Sequence, residues 1–135
     1  MQVTRTYTRE EMVEWVRRNE TRYQQDGFGL WALELKAGGE CIGDCGLVAR
    51  VVDERPEVEL GYHLQRLHWG RGYATEAATA CRDHAFGPLG LKRLIAMIMP
   101  HNTPSRRVAE RLGMKVEKEI MRPVGGLHLV YALER

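Results

Sequence analysis

The 135-residue sequence predicts an α/β chain of the α+β type, with a mixed, mostly antiparallel central sheet flanked by helices. Three observations predict it. Residues 30 to 64 hold three alternating apolar runs separated by turn residues, the pattern of an antiparallel meander. An alanine-rich run of helical spacing then leads into a nearly continuous apolar stretch, Leu91 to Met99, as expected of a central strand covered on both faces. Finally, a short helical segment precedes two more alternating runs at the C-terminal end.

Each element has a local cause. Thr8-Arg9-Glu10-Glu11 has the form of a capping box, so a first helix should start near Arg9 and carry Met12, Val13, Trp15 and Val16. It should run to about Gln25, where Asp26-Gly27-Phe28-Gly29 breaks it. Leu30 to Leu35 and Glu40 to Arg50 read as two strands joined by a Gly38-Gly39 turn. Residues 52 to 56 form a polar turn, and Glu57 to Leu64 make the third strand, with Gly61 a candidate bulge.

From Gly72 to about Phe86, Tyr73, Ala74, Ala77, Ala78, Cys81 and Ala85 recur at helical spacing, and Gly87-Pro88 supplies the stop. Alanines on that face allow the helix to lie close against a sheet. Thr103 as N-cap with Pro104 at the first helical position opens a shorter helix, which runs through Leu112 and closes at Gly113. Lys115 to Arg122 and Leu127 to Leu133 are the last strands. There is no internal repeat, low-complexity stretch or linker, so residues 1–135 read as one domain.

Composition narrows the function by exclusion. A net charge of +2 without a basic stripe argues against nucleic-acid binding. No apolar run approaches membrane-spanning length, and Met1 to Arg5 lacks the apolar stretch of a secretory signal, so a cytoplasmic protein is expected. Cys41, Cys45 and Cys81 form no paired CxxC arrangement, and the five histidines are scattered, so no metal is expected. Cys41 and Cys45 lie four apart on a strand and should face the same side.

The segment Trp69-Gly70-Arg71-Gly72-Tyr73-Ala74-Thr75-Glu76-Ala77 carries the chemistry. A strand, a glycine turn and a helix N-terminus bring unpaired amides and the positive end of a helix dipole to one point, which suits a phosphate. Arg71 adds charge, and Arg66 is placed to reach the same anion. The spacing is not that of a P-loop, and the preceding meander strand does not open a dinucleotide-binding βαβ unit.

That string, together with Asn102-Thr-Pro-Ser105-Arg-Arg-Val-Ala-Glu-Arg-Leu-Gly-Met114 after an apolar strand, resembles the GNAT superfamily of acetyltransferases. It looks most like the branch of ribosomal-protein N-terminal alanine acetyltransferases. The resemblance extends from about residue 8 to the C-terminal end. Trp69 stands where the wider superfamily has Gln or Arg, though this branch commonly has Trp, and Met114 replaces a more usual aromatic.

The resemblance implies a GNAT-like acyl-CoA N-acyltransferase fold with acetyl-CoA as co-substrate between the third and fourth strands, where they splay apart. The strand edge bearing Leu60, Tyr62 and Leu64 would pair with the pantetheine arm. The loop amides of Trp69, Gly70, Arg71, Gly72, Tyr73, Ala74 and Thr75 would hold the pyrophosphate, and Asn102 and Ser105 would approach the pantetheine and thioester. A family member normally begins with a strand and a helix not found before Arg9. Their absence would bear on the acceptor site and leave a second-strand edge open to another subunit, hence a possible homodimer.

For transfer to an amine, Glu59 is the candidate base, with His63 on the same strand face as a relay. Ser105 resembles the serine that donates a proton to the leaving thiolate in this branch, and Tyr131 is a second candidate acid. His101 ranks below Glu59. The Arg106-Arg107 pair reads as a solvated helix face in preference to a 3′-phosphate contact, and nothing beside Cys45 would activate it as a nucleophile. Two functional readings stand: an N-acetyltransferase acting on a protein N-terminus or a small amine, and an acyl-CoA-binding or assembly subunit without that activity.

Overall fold

The computed structural model describes residues 8–135; Met1 to Arg5, read above for a signal, lies outside them. Thr8 Oγ1 accepts from Glu11 N and Glu11 Oε1 accepts from Thr8 N, both at 3.1 Å, so the capping box closes at the start of α1 (Arg9–Asp26). Gly27 ends the helix in the left-handed conformation at φ 79°. The meander follows as β1 (Leu30–Glu34), β2 (Cys41–Val52) and β3 (Arg55–Leu64). A 3-10 turn at Arg66–His68 leads to α2 (Tyr73–Phe86), then β4 (Arg93–Ile98), α3 (Thr103–Arg111), β5 (Lys115–Arg122) and β6 (Gly126–Glu134). The six strands form one sheet in the order β1-β2-β3-β4-β6-β5, antiparallel except where β3 meets β4. This is the mixed, mostly antiparallel sheet expected from the sequence.

Four local expectations need correction. The 52–56 turn is tighter than its composition suggests: Asp53 and Glu54 alone turn the chain at positive φ (49° and 64°), and Pro56 lies within β3 opposite Val51. Gly61 is not a bulge, since β2 and β3 pair one to one from Gly43↔Leu64 to Val52↔Arg55. It sits opposite Gly46, where a Cβ would collide with the Gly29 carbonyl oxygen and approach Leu30 Cα at 2.7 Å, so the glycine there permits close passage of β1. Cys41 and Cys45 do not share a face. The β1–β2 register slips between Leu33 and Glu34, which turns Cys41 to solvent while Ile42 and Cys45 are both buried. Lastly, the N-cap of α3 is Asn102, not Thr103: Asn102 Oδ1 accepts from Ser105 N at 3.4 Å.

One sheet face carries the main core. Leu47 of β2, Leu60, Tyr62 and Leu64 of β3 and Leu94 and Ala96 of β4 pack under α2 and α3. Ala74, Ala78, Cys81 and Ala85 recur at spacings of four, three and four, so α2 presents only small groups and comes close enough for Cys81 Sγ to lie 3.4 Å from Cys45 Sγ. On α3, Val108, Ala109 and Leu112 face the same core. Helix α1 docks differently, through buried Asn19, whose Oδ1 accepts from Leu30 N at 3.0 Å, and through Tyr23, whose hydroxyl donates to Leu30 O at 3.0 Å. Its Met12, Val13 and Val16 stay exposed. No helix among the described residues is long and apolar enough to cross a membrane.

The opposite face has a small apolar cluster of Val52, Ile95 and Val130, and beside it an ionic clamp. Arg93 of β4 donates to Glu57 of β3 (3.0 Å), Glu117 of β5 (2.6 and 2.9 Å) and Glu134 of β6 (3.0 Å). The bulge between Val116 and Lys118 is what aims Glu117 inward. Glu57 is only 6% exposed, so its charge relies on Arg93. Arg93→Met should therefore cost about 3–5 kcal/mol in urea unfolding, because an unpaired carboxylate is left buried. Hydrogen bonds from Arg93 hold the Glu117 carboxyl below its ordinary range. That contribution is present above the unfolded value of about 4.3 and fades as pH falls through the lower folded value. The gap between native protein and Arg93→Met should consequently narrow at acid pH; a gap that widens on acidification would refute this account of the clamp.

Candidate functional site

β3 and β4 bridge only at Glu59↔Ile95. Beyond that pair β3 stays with β2 as far as Leu64↔Gly43, while β4 follows β6 to Ile98↔Leu129. Among the described residues, the edge of β3 from Leu60 to Leu64 therefore has no strand neighbour on its β4 side. Its backbone polar groups there require some other partner. A cleft of about 340 Å³ opens at this point, lined by Leu60 and Tyr62 on one side and by Met97, Asn102 and Ser105 on the other. Tyr62 ties the two sides together, its hydroxyl donating to Ser105 O at 2.8 Å. Burial pushes the Tyr62 hydroxyl well above its usual range, so it remains a protonated donor.

A second cavity of about 380 Å³ lies at the start of α2. Gly70 and Gly72 both have positive φ (77° and 80°), a conformation that costs an L side chain about 1–2 kcal/mol. Gly72 is the N-cap and, lacking a side chain, caps no amide. The first intrahelical bond runs from Glu76 N to Gly72 O, which leaves the amides of Tyr73, Ala74 and Thr75 as the helix's free donors. Arg107 and Arg111, four apart on α3, line the opposite wall, and Arg111 Nη1 lies 3.5 Å from Thr75 Oγ1. His68 also lines this cavity. It is 5% exposed, neither ring nitrogen has a hydrogen-bond partner among the described residues, and Glu40 Oε1 at 4.0 Å is too far to serve.

The lining of the first cleft is also polar. Glu59 and His63 both line it, as their period-2 spacing requires. Arg50 Nε donates to Glu59 Oε1 at 2.9 Å. Asp44, the cross-strand partner of His63, places Oδ1 2.8 Å from His63 Nδ1, which orients the ring. His101 and His128 line the same cleft. His128 is buried and its Nδ1 donates to Gly126 O at 2.9 Å, since a carbonyl can only accept. Among the described residues no group of three side chains is arranged to hold a metal ion.

Of the residues singled out from sequence, Glu59, Leu60, Tyr62, His63, His101, Asn102 and Ser105 line the first cleft. Leu64, Trp69, Gly70, Gly72, Tyr73, Ala74 and Thr75 line the second. Leu64 continues the strand edge of Leu60 and Tyr62, so one edge borders both cavities. Arg71 is exposed and lines neither, and Arg66 stacks its guanidinium 5.7 Å from the Trp69 ring centroid. Tyr131 is 1% exposed and lines neither cavity; its hydroxyl accepts from Arg106 Nε at 2.9 Å. The arginine pair accordingly splits: Arg106 turns inward to Tyr131 and Pro100 O, and Arg107 faces the second cavity. Sequence reasoning passed over Arg22, Asp44, Arg50, His68, Arg111, Arg122 and His128. Only the position of Asp44 opposite His63 in the hairpin carried a signal that could have found one of them.

Residues 1–115 match the acetyltransferase (GNAT) domain family. The chain is similar to the uncharacterized protein YkkB of Bacillus subtilis (strain 168), 44% identical over 110 residues. That match covers 82% of this chain and 62% of YkkB, so the chain spans less than two thirds of that relative. The acetyltransferase from Agrobacterium tumefaciens str. C58 superposes with a TM-score of 0.78 at 34% identity, over 96% of this chain and 74% of that one. The ribosomal-protein-S5-alanine acetyltransferase from Vibrio fischeri shares the fold, with a TM-score of 0.78 at 19% identity over 97% and 76% of the two chains.

Asn102 joins the two cavities' walls by starting α3, so its cap should be measurable. Asn102→Ala should lower stability by about 1 kcal/mol in denaturant titration, and Asn102→Ser should recover most of it. Equal losses in the two variants would show that the side chain acts otherwise than as a cap.

Proposed function

The chain belongs to the GNAT acetyltransferase family, and from that premise we propose that it moves an acetyl group from acetyl-CoA to a primary amine by direct attack in a ternary complex. The observation that supports this best is the stretch of β3 without a strand neighbour on its β4 side, which borders both the cleft of Asn102 and Ser105 and the cavity at the start of α2 and ends where Trp69 Nε1 donates to Leu64 O at 2.9 Å. An elongated ligand with amide groups along its middle and phosphates at one end suits that layout. The amides of Tyr73, Ala74 and Thr75 take the pyrophosphate, with Arg107, Arg111 and the unpartnered ring of His68 around it. The edge of β3 takes the amides of the pantetheine arm.

Glu59 and Ser105 then divide the proton chemistry. The amine nitrogen attacks the thioester carbonyl carbon, the C–N bond forms and the C–S bond breaks. The proton leaving nitrogen passes to Glu59, directly or through water, while Ser105 supplies a proton to the departing sulfur and regains one from solvent. The net change is an amine proton moved to a thiol. Arg50 engages one oxygen of Glu59 and thereby fixes the carboxylate in the cleft. Tyr131, with its hydroxyl bonded by Arg106 and its ring in the core, leaves the acid role to Ser105.

Saturating acetyl-CoA should raise the melting temperature, and no shift would overturn the cofactor assignment. His68→Ala should weaken acetyl-CoA binding about tenfold, the worth of one charge-assisted hydrogen bond. Glu59→Gln should lower kcat with little change in acetyl-CoA affinity, measured by thiol release against a panel of amines; an unchanged kcat would remove Glu59 as base. Tight acetyl-CoA binding with no thiol release from any amine would favour the binding-subunit reading.

A further inference from the structure

The first cleft has an unbalanced charge. Its lining includes three guanidiniums, Arg22 from α1, Arg50 from β2 and Arg122 from β5, against one carboxylate, Glu59. Arg50 is neutralised by Glu59 at 2.9 Å. Arg22 is bonded only to a neutral group, its Nη1 donating to Asn19 Oδ1 at 3.2 Å. Neither Arg22 nor Arg122 has an ion-pair partner among the described residues. Both are half-buried, so solvent screens them incompletely.

Three histidines, His63, His101 and His128, surround the same space and add donors but no negative charge. Asp44 is committed to His63. Burial, with repulsion from Arg50 and Arg18, lowers the Arg22 guanidinium from its ordinary range even though Asp26 and Glu59 act in the other direction. The protein thus holds cations together at a free-energy cost that an anionic ligand would offset.

We propose that the acceptor is an amine carrying a carboxylate or phosphate group, and that Arg22 and Arg122 bind this group while Glu59 and Ser105 act on the amine and thioester. The guanidinium geometry suits either anion through paired N–H donors. A polyamine is disfavoured at this site, because each of its remaining ammonium groups would face uncompensated arginine. The inference rests on the transfer reaction proposed above and assigns its substrate class.

The test uses the purified chain and acetyl-CoA, with thiol release followed for matched acceptors: a dipeptide with an acidic second residue, its amide counterpart, an amino-sugar phosphate, its unphosphorylated parent, and spermidine. The charged member of each pair should have the higher kcat/KM, by about tenfold for one well-placed ionic hydrogen bond. Raising the salt concentration should reduce that ratio. Arg22→Gln and Arg122→Gln should each collapse it through KM, Arg22→Lys should restore part of it, and Arg17→Gln, on the solvent side of α1, should leave it unchanged. Equal rates within the pairs, or spermidine as the best acceptor, would overturn the inference.

A second measurement is independent of turnover. Calorimetric titration of the CoA-bound protein with the N-acetylated acidic dipeptide and with its amide should show tighter binding of the acid, lost in Arg122→Gln. If no amine releases thiol but this difference holds, the transfer reading fails and the anion site stands. If thiol is released but the acid and amide bind alike, the anion site fails and the transfer reading stands.

Discussion

The clamp of Glu57 by Arg93 is the contact on which the site's geometry depends. It joins β3 to β4 two residues before their only bridge, and it draws in Glu117 and Glu134 so that four strands meet on one guanidinium. Held at that end and free at the other, two parallel strands with the natural twist of a sheet diverge. The divergence leaves the β4 side of Leu60 to Leu64 without a strand neighbour, Leu64 O being taken by Trp69 Nε1 at 2.9 Å. Tyr62, bonded to Ser105 O at 2.8 Å, bounds how far it goes, because α3 cannot retreat from β3 without breaking a buried hydrogen bond. The cleft is therefore a consequence of pairing at one end and bracing at the other.

Much of the fold was legible because its causes are local. The capping box at Thr8, the alternation of three strands and the small-residue stripe of α2 each act within a few residues, and each appears where the sequence placed it. The expectations that failed depend on what lies across the sheet. A bulge in the β1–β2 ladder separated Cys41 from Cys45, and Gly61 pairs one to one with Gly46 across the β2–β3 ladder. The tight turn at Asp53-Glu54 depends on two residues at positive φ that are not glycine, which composition does not reveal.

The site divides along the same line. The half at the start of α2 is built mainly from backbone: a strand edge, two glycines at positive φ and a helix N-terminus. Such a half leaves a continuous string in the sequence, Trp69 to Ala77, and six of its residues line the cavity at the start of α2. The other half is built from charged and imidazole side chains contributed by α1, β2, β3, β5 and β6, one from each element except β3, which gives both Glu59 and His63. Arg22 is one of several basic residues on its helix, and nothing adjacent sets it apart. Only the folded sheet brings it to the cleft with Arg122, a hundred residues away.

That division also separates what each half discriminates. Backbone amides and a strand edge answer to the shape and charge of one ligand, and only the few side chains beside them, His68, Arg107 and Arg111, tune that half. Arg22 and Arg122 lie on α1 and β5, so their replacement leaves the β2–β3 ladder and α2 in place. Asp44 shows the same economy: it holds His63 by one bond across a hairpin, so a single substitution would free the ring while the ladder stays intact. In the proposed reaction, a scaffold of this kind fixes the cofactor half by backbone conformation and leaves acceptor choice to a handful of side chains. The acceptor's charge in that reaction would be read mainly by residues of α1 and β5, outside the two segments that identify the family.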